Sequence, residues 1–336
     1  MIQKCKLISI VAAIAIFCAC SDAVAETEIQ GKTSIDRPVS PKEMQKMLGR
    51  GFDVQWAEFT KKIDAYGVDE VIAVKSLGFQ SVRIRTALPA DDYLLGVLDS
   101  RISDCLDNGI TPVLAYNALN YERNPNEETL EQSVEWWKTV AEHFKDVSHR
   151  LIFNLNIEWS DAAGKNQHAI DLFNEKVTSA IRKTNPTRII VYSPAKLSDP
   201  NYLEKMTIPE EAGDYAMAEW HLYAAGPSKN PNSKKYWSTG TEEEKKAITD
   251  KIRKGVEWQK EHNIPTWVGA WMPGNYNKGN DFSVEEQCAF ARFMISSLES
   301  AGIPWAVNSL DKYYDVFNDC WYSEMMPLIN VFSGKQ

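Results

Sequence analysis

The sequence has little of what metal, nucleotide or redox chemistry requires. It carries 5 His and 6 Cys in 336 residues, with no Cys-x-x-Cys pair and no His/Cys cluster at zinc-site spacing. A glycine-rich phosphate loop is also missing. The expectation is therefore no cofactor and no metal. Positive charge is scarce too: 37 Lys and Arg against 46 Asp and Glu give a formal net charge of −9. A chain this acidic is a poor partner for nucleic acid or for an anionic membrane surface. The apolar run over residues 7–17 is too short to cross a bilayer as a permanent helix.

That run has the pattern of an export signal. Lys4 and Lys6 precede it, and a small residue, Ala19, follows it. Cys20, directly after Ala19, resembles the lipobox cysteine of bacterial lipoproteins, which is lipidated and becomes the new N-terminus. Cleavage at Ala25 is the alternative. The expected organisation is a signal peptide over 1–19, a lipidated Cys20 with a flexible tether over 20–40, and one folded domain over 41–336. The mature protein would sit in the periplasm or on the bacterial outer membrane, touching the membrane through its lipid alone. Loss of Lys4 and Lys6 with the signal would move the formal charge from −9 to −11. Cys105, Cys288 and Cys320 remain, an odd number that leaves at least one free thiol if Cys20 is acylated.

The rest has an ordinary globular composition, 44% hydrophobic and 25% charged. Strand-like segments over 51–56, 80–85, 111–117, 150–160, 188–192, 215–223, 265–271 and 303–309 alternate with helix-like ones, among them 64–77, 90–108, 242–262 and 284–300. About eight such units over roughly 290 residues predict an α/β fold, a single-domain (β/α)8 TIM barrel. A doubly wound open sheet would show fewer units and a glycine-rich first turn.

The segment 150–160 organises the site. Leu151, Phe153, Leu155 and Ile157 alternate with Asn154, Asn156 and Glu158, so one strand face is apolar and the other polar. Helical flanks turn that polar face into a barrel rather than into water. Glu158, at the carboxyl end, is then a candidate catalytic carboxylate. The other strand ends offer Arg83, Arg85, Asn117, Glu219, His221, Tyr223 and Asn308, with Asn156, Trp159 and Trp271 beside them. Carboxylates, planar donors and indole faces together make the inventory of a carbohydrate site. Taken singly, a buried strand arginine is more often a structural ion pair, and most of the 11 Trp belong to the core or its rim. Long loops over 224–239 and 272–281 would wall the cleft.

Several stretches resemble glycoside hydrolase family 5, the cellulase-like barrels, over about residues 48–332. Leu48-Gly49-Arg50-Gly51-Phe52 looks like the family's opening glycine motif, and Gly78-Phe79-Gln80-Ser81-Val82-Arg83-Ile84 its arginine strand. Trp137, Phe144-Lys145-Asp146 and Arg150-Leu151-Ile152-Phe153 are similar to its third helix and acid/base strand. His221-Leu222-Tyr223 matches its His-x-Tyr pair, and Ile264-Pro265-Thr266-Trp267-Val268-Gly269 the lead-in to its nucleophile strand. The resemblance implies that Glu158 is the general acid/base, Arg83 a buried organiser, and His221 and Tyr223 partners of nucleophile and substrate. Two positions depart from the family. The asparagine before the acid/base is Ile157, leaving Asn156 to shift and supply the amide. The nucleophilic glutamate is Ala270, and a methyl group forms no glycosyl ester.

Three expectations follow for a polysaccharide or oligosaccharide ligand. A hydrolase would pair Glu158 with Glu219, although Glu219 reads equally well as a buried partner of Arg83 or Arg85. A lyase acting on a uronic-acid glycan would use His221 and Tyr223 as base and acid, with Arg85, Asn117 or Asn308 on the carboxylate. An inactive glycan-binding protein would need neither.

Overall fold

The computed structural model describes residues 36–222, 228–232, 237–274 and 282–335. The signal, Cys20, the tether up to residue 35, Tyr223 and parts of both long loops lie outside the described residues. Eight strands form a closed, all-parallel barrel in sequence order: β1 Arg50–Val54, β2 Ser81–Thr86, β3 Thr111–Tyr116, β4 Ile152–Asn154, β5 Ile190–Tyr192, β6 Ala216–His221, β7 Thr266–Trp271 and β8 Trp305–Asn308. Closure sets Gly51 opposite Ala306 and Asp53 opposite Asn308. The helices are α1 Pro41–Leu48, α2 Thr60–Ala65, α3 Val68–Ser76, α4 Asp92–Asp107, α5 Leu119–Arg123, α6 Glu127–His143, α7 Gln167–Arg182, α8 Ala195–Ser198, α9 Glu242–His262, α10 Val284–Ser300 and α11 Met326–Ser333. The expected (β/α)8 barrel is the observed fold.

Alternation along the strands divides the apolar residues into two cores. Val113, Ile152, Ile189, Val191, Met217, Trp267 and Ala306 gather with Met44 and Leu48 of α1. This makes an apolar floor inside the barrel, plugged by α1 at the amino ends of the strands. The alternate row, including Phe52, Ile84, Leu114, Phe153, Trp220, Val268 and Trp305, packs outward against the helices. Strands buried on both faces read as nearly continuous apolar runs, which is why the sequence pattern was strong. Gln45 fastens α1 to the foot of β7, its Nε2 donating to the Thr266 carbonyl at 2.7 Å.

The helix ends are written locally. Capping boxes start α6 at Asn126, α9 at Thr241 and α10 at Ser283, each satisfying backbone N–H groups that the first turn leaves open. Gly78 and Gly302, at φ +86 and +69, turn the chain from α3 into β2 and from α10 into β8, where a β-carbon would be strained.

Three details differ from expectation. The helix over 64–77 is two helices, broken at Tyr66 and Gly67 between α2 and α3. A short antiparallel pair, β9 Tyr314–Asp315 with β10 Cys320–Trp321, follows β8. Most important for the site, β4 ends at Asn154, so Glu158 sits on a loop and not on the strand. Replacing Leu48, fully buried in the floor, with Ala should destabilise the fold by about 2–5 kcal/mol. Urea unfolding with unchanged slope is the check.

Candidate active site

Above the apolar floor the barrel interior becomes polar. Asp53 from β1, Arg83 from β2, Asn154 from β4, and Glu219 and His221 from β6 are all buried. Charges so far from water persist only when paired. Arg83 Nη2 donates to Asp53 Oδ2 at 2.7 Å, and its Nη1 donates to Glu219 Oε2 at 2.8 Å. The other Glu219 oxygen accepts from Asn154 Nδ2 at 3.1 Å and from Ser193 Oγ at 2.6 Å. His221 joins this cluster to the surface: its Nε2 lies 3.3 Å from Glu219 Oε2, and its Nδ1 lies 2.6 Å from Glu158 Oε1. Gly269 makes room for the arrangement, because a β-carbon there would lie 2.0 Å from Glu219 Oε2.

The charges set one another's protonation. Burial alone would raise Glu219, but Arg83 and then His221 outweigh it and hold the carboxyl below its ordinary range. Burial alone would lower His221, but the Glu219 charge and the hydrogen bond to Glu158 hold it above its ordinary value. The imidazole thus lies between two carboxylates, with Arg83 Nη1 also 3.2 Å from its Nε2. Of this chain, Glu158 is the member that reaches solvent, with 28% of its side chain exposed.

The loop carrying Glu158 is bound carbonyl by carbonyl. Leu155 O accepts from Trp137 Nε1 at 3.1 Å, Asn156 O from Ser193 Oγ, and Ile157 O from Ser198 Oγ at 3.2 Å. Glu158 O accepts from Asn156 Nδ2 at 2.9 Å, Trp159 O from Leu197 N at 3.1 Å, and Ser160 O from Gly164 N at 2.6 Å. Side chains and neighbouring loops thus take over the backbone partners that a longer strand would have supplied.

Several of the candidate residues are engaged inside the protein. Of the two expectations for Glu219, the geometry is that of a buried partner of Arg83: it is fully buried, and both oxygens are committed to hydrogen bonds. Arg83, equally buried, joins Asp53 and Glu219, as expected of a buried organiser. Arg85 is engaged internally, with Nε 3.1 Å from Asp53 Oδ1 and Nη2 3.0 Å from Glu58 Oε2. Asn156 does not supply the amide missing at Ile157. Its Oδ1 accepts from Ala118 N at 2.9 Å and its Nδ2 donates to Glu122 Oε1 at 3.0 Å, besides its bond to Glu158 O.

Trp159 packs beneath the loop, between Tyr121 and Phe173. Trp271 packs outward on Trp305, Phe290 and Phe332, because a bulge in β7 between Val268 and Trp271 inserts an extra residue and resets the alternation. Asn308 is buried opposite Asp53, and Asn117 is half-buried at the end of β3. Ala270 is buried and pairs with His221 across β6 and β7. Asp53, Ser193 and Glu122 were missed. Only Asp53 left a signal, as an acid between Phe52 and Val54 in an apolar strand.

Among the described residues, metal-ligating side chains come within reach of one another at Glu204, Glu261 and His262. All three are exposed, and His262 ends α9 just before β7 begins, so the group is at the opposite end of the barrel from Glu158.

A closed (β/α)8 barrel that presents a carboxylate at the carboxyl ends of its strands has the architecture of a barrel enzyme. The cellulase model, glycosyl hydrolase family 5, matches residues 45–313, and the chain belongs to that family. Endoglucanase H of Acetivibrio thermocellus is 24% identical over 255 residues, which cover 70% of this chain and 27% of that protein. The match thus spans about a quarter of the length of that relative. Endoglucanase Cel5A of the hyperthermophilic Thermotoga maritima is similar in fold, with a TM-score of 0.74 at 20% identity, covering 88% of this chain and 100% of that one. The cellulose synthase subunit Z of Clostridioides difficile gives 0.72 at 17% identity, covering 85% and 99%.

The buried pair should leave a signature in stability. The Glu219 contribution is present above the ordinary carboxylate value of 4.5 and is lost as pH falls through its lowered one. The His221 contribution is complete below 6.5 and is lost as pH rises through its raised value. The destabilisation caused by His221→Gln should therefore be largest between the ordinary values of 4.5 and 6.5 and shrink as pH rises through the raised His221 value, as read from urea midpoints of both proteins across the pH range.

Proposed function

We propose that the protein is a glycoside hydrolase acting on a polysaccharide or oligosaccharide, with Glu158 as general acid/base. One observation carries this reading: Glu158 is the solvent-reaching end of the Asp53–Arg83–Glu219–His221 chain. It also sits on a loop whose consecutive carbonyls are all held. An acid/base must present one oxygen to the glycosidic bond while its other oxygen and its backbone stay fixed. Glu158 meets that requirement, Oε1 being taken by His221. Family membership and the endoglucanase relative support a glucan-type chain as substrate. Glu219 is sealed in with both oxygens bonded and residue 270 is alanine, so the proposal rests on Glu158.

Elimination is disfavoured. Both His221 nitrogens are enclosed, Nδ1 by Glu158 and Nε2 by Glu219 and Arg83, so neither is open to a substrate proton, and Arg85 is occupied by Asp53 and Glu58. Glycan binding without turnover is the second reading, favoured by Ala270 at the nucleophile position.

A panel of neutral and acidic glycans, followed by reducing-end release and by ultraviolet absorbance, separates the three. Hydrolysis predicts new reducing ends without new absorbance, and a loss of about 10²–10⁴-fold in Glu158→Gln. Binding by calorimetry with no product in long incubations supports the binder, and new absorbance supports elimination. We also propose export and lipidation at Cys20, supported by Lys4, Lys6 and the apolar run before it. Cys20→Ser should move the protein from the membrane fraction to the soluble one.

A further inference from the structure

Glu122 lies on α5, the short helix after β3, and takes no part in the Arg83 cluster. It is nevertheless 3% exposed, and a buried carboxylate outside a catalytic chain calls for an explanation. Its hydrogen bonds supply one. Oε1 accepts from Asn156 Nδ2 at 3.0 Å, and Oε2 accepts from Ser160 Oγ. Asn156 and Ser160 stand two residues before and two residues after Glu158. One carboxylate therefore clasps both ends of the five-residue segment that has Glu158 at its centre.

The clasp is reinforced on both sides. Asn156 uses its second amide hydrogen on the Glu158 carbonyl at 2.9 Å and its oxygen on Ala118 N at the start of α5. The neighbour of Glu122, Tyr121, packs its ring against Trp159, the residue after Glu158, and its hydroxyl donates to Ala169 O at 2.8 Å. Helix α5 thus grips the loop through residues 156, 159 and 160 together. Burial pushes Glu122 up, while the bonds from Ser160 and Asn156 oppose that rise and the nearby Glu158 charge adds to it.

We propose that Glu122 is a positioning residue for Glu158: by accepting from Asn156 and Ser160 together, it fixes the loop that aims the catalytic carboxylate. The inference rests on Glu158 being the acid/base, but the clasp itself can be tested without turnover.

Glu122→Ala removes both acceptors. Glu122→Gln keeps an oxygen for Asn156 and lets the Ser160 hydroxyl turn to accept from the new amide. Hydrolysis kinetics and amide hydrogen exchange over residues 155–160 are measured on both variants and on Ser160→Ala, which cuts one link and leaves the carboxylate bonded to Asn156. Glu122→Ala should lower kcat about a hundredfold with KM little changed and should speed exchange in that segment. Glu122→Gln should restore both, and Ser160→Ala should show a smaller effect of the same sign. Wild-type kcat and exchange in Glu122→Ala overturn the proposal. If Glu122→Ala does not fold, unchanged exchange in Ser160→Ala overturns it. Faster exchange in Glu122→Ala alongside a wild type that never turns over leaves the clasp standing and removes the hydrolase reading.

Discussion

A single guanidinium governs the upper half of this barrel. Arg83 has almost no contact with water, and an isolated charge in that position would cost many kcal/mol. Its planar fork resolves the problem by joining strands: one nitrogen meets Asp53 on β1, another meets Glu219 on β6. Removing one partner of such a buried set costs about 3–5 kcal/mol, yet the set is better understood as a device for placement than for stability. Once Arg83 fixes Glu219, Glu219 fixes His221, and His221 decides where Glu158 can point.

Two neighbouring residues of β7 bear on the reaction proposed for this family member. Gly269 is kept free of side-chain atoms, because the Glu219 carboxylate fills the space a β-carbon would need. Ala270, directly after it, carries no acid. The scaffold that holds Glu158 through His221 is therefore present, while the position that the family resemblance assigns to the nucleophile carries a methyl group. A fold does not by itself dictate a reaction.

The architecture was legible because both strand faces are buried, so apolar runs bounded by helix caps and glycines mark every unit. Glu158, His221 and Arg83 stood out as polar residues where that pattern predicts apolar ones. The failures have a common cause. Trp271 was read as a strand-end residue of the cleft, whereas a bulge in β7 leaves it packed on Trp305, Phe290 and Phe332. Asn156 was counted along a strand that ends at Asn154. Register arithmetic holds only while the ladder is regular. Glu122 and Ser193 are ordinary polar residues in sequence, and only the folded chain brings them beside the loop.

The distance along the chain between the charged partners also bears on how the barrel comes together. Arg83 and Glu219 are separated by 136 residues, and β1 meets β8 only when the last strand has been added. Contacts this remote in sequence form late, after the loop entropy of closure has been overcome. A partly assembled barrel would hold the Asp53–Arg83 pair without Glu219 and His221, so the polar layer above the floor is completed only when β6 docks. The groups that aim Glu158 are thus also among the last of the barrel to come together.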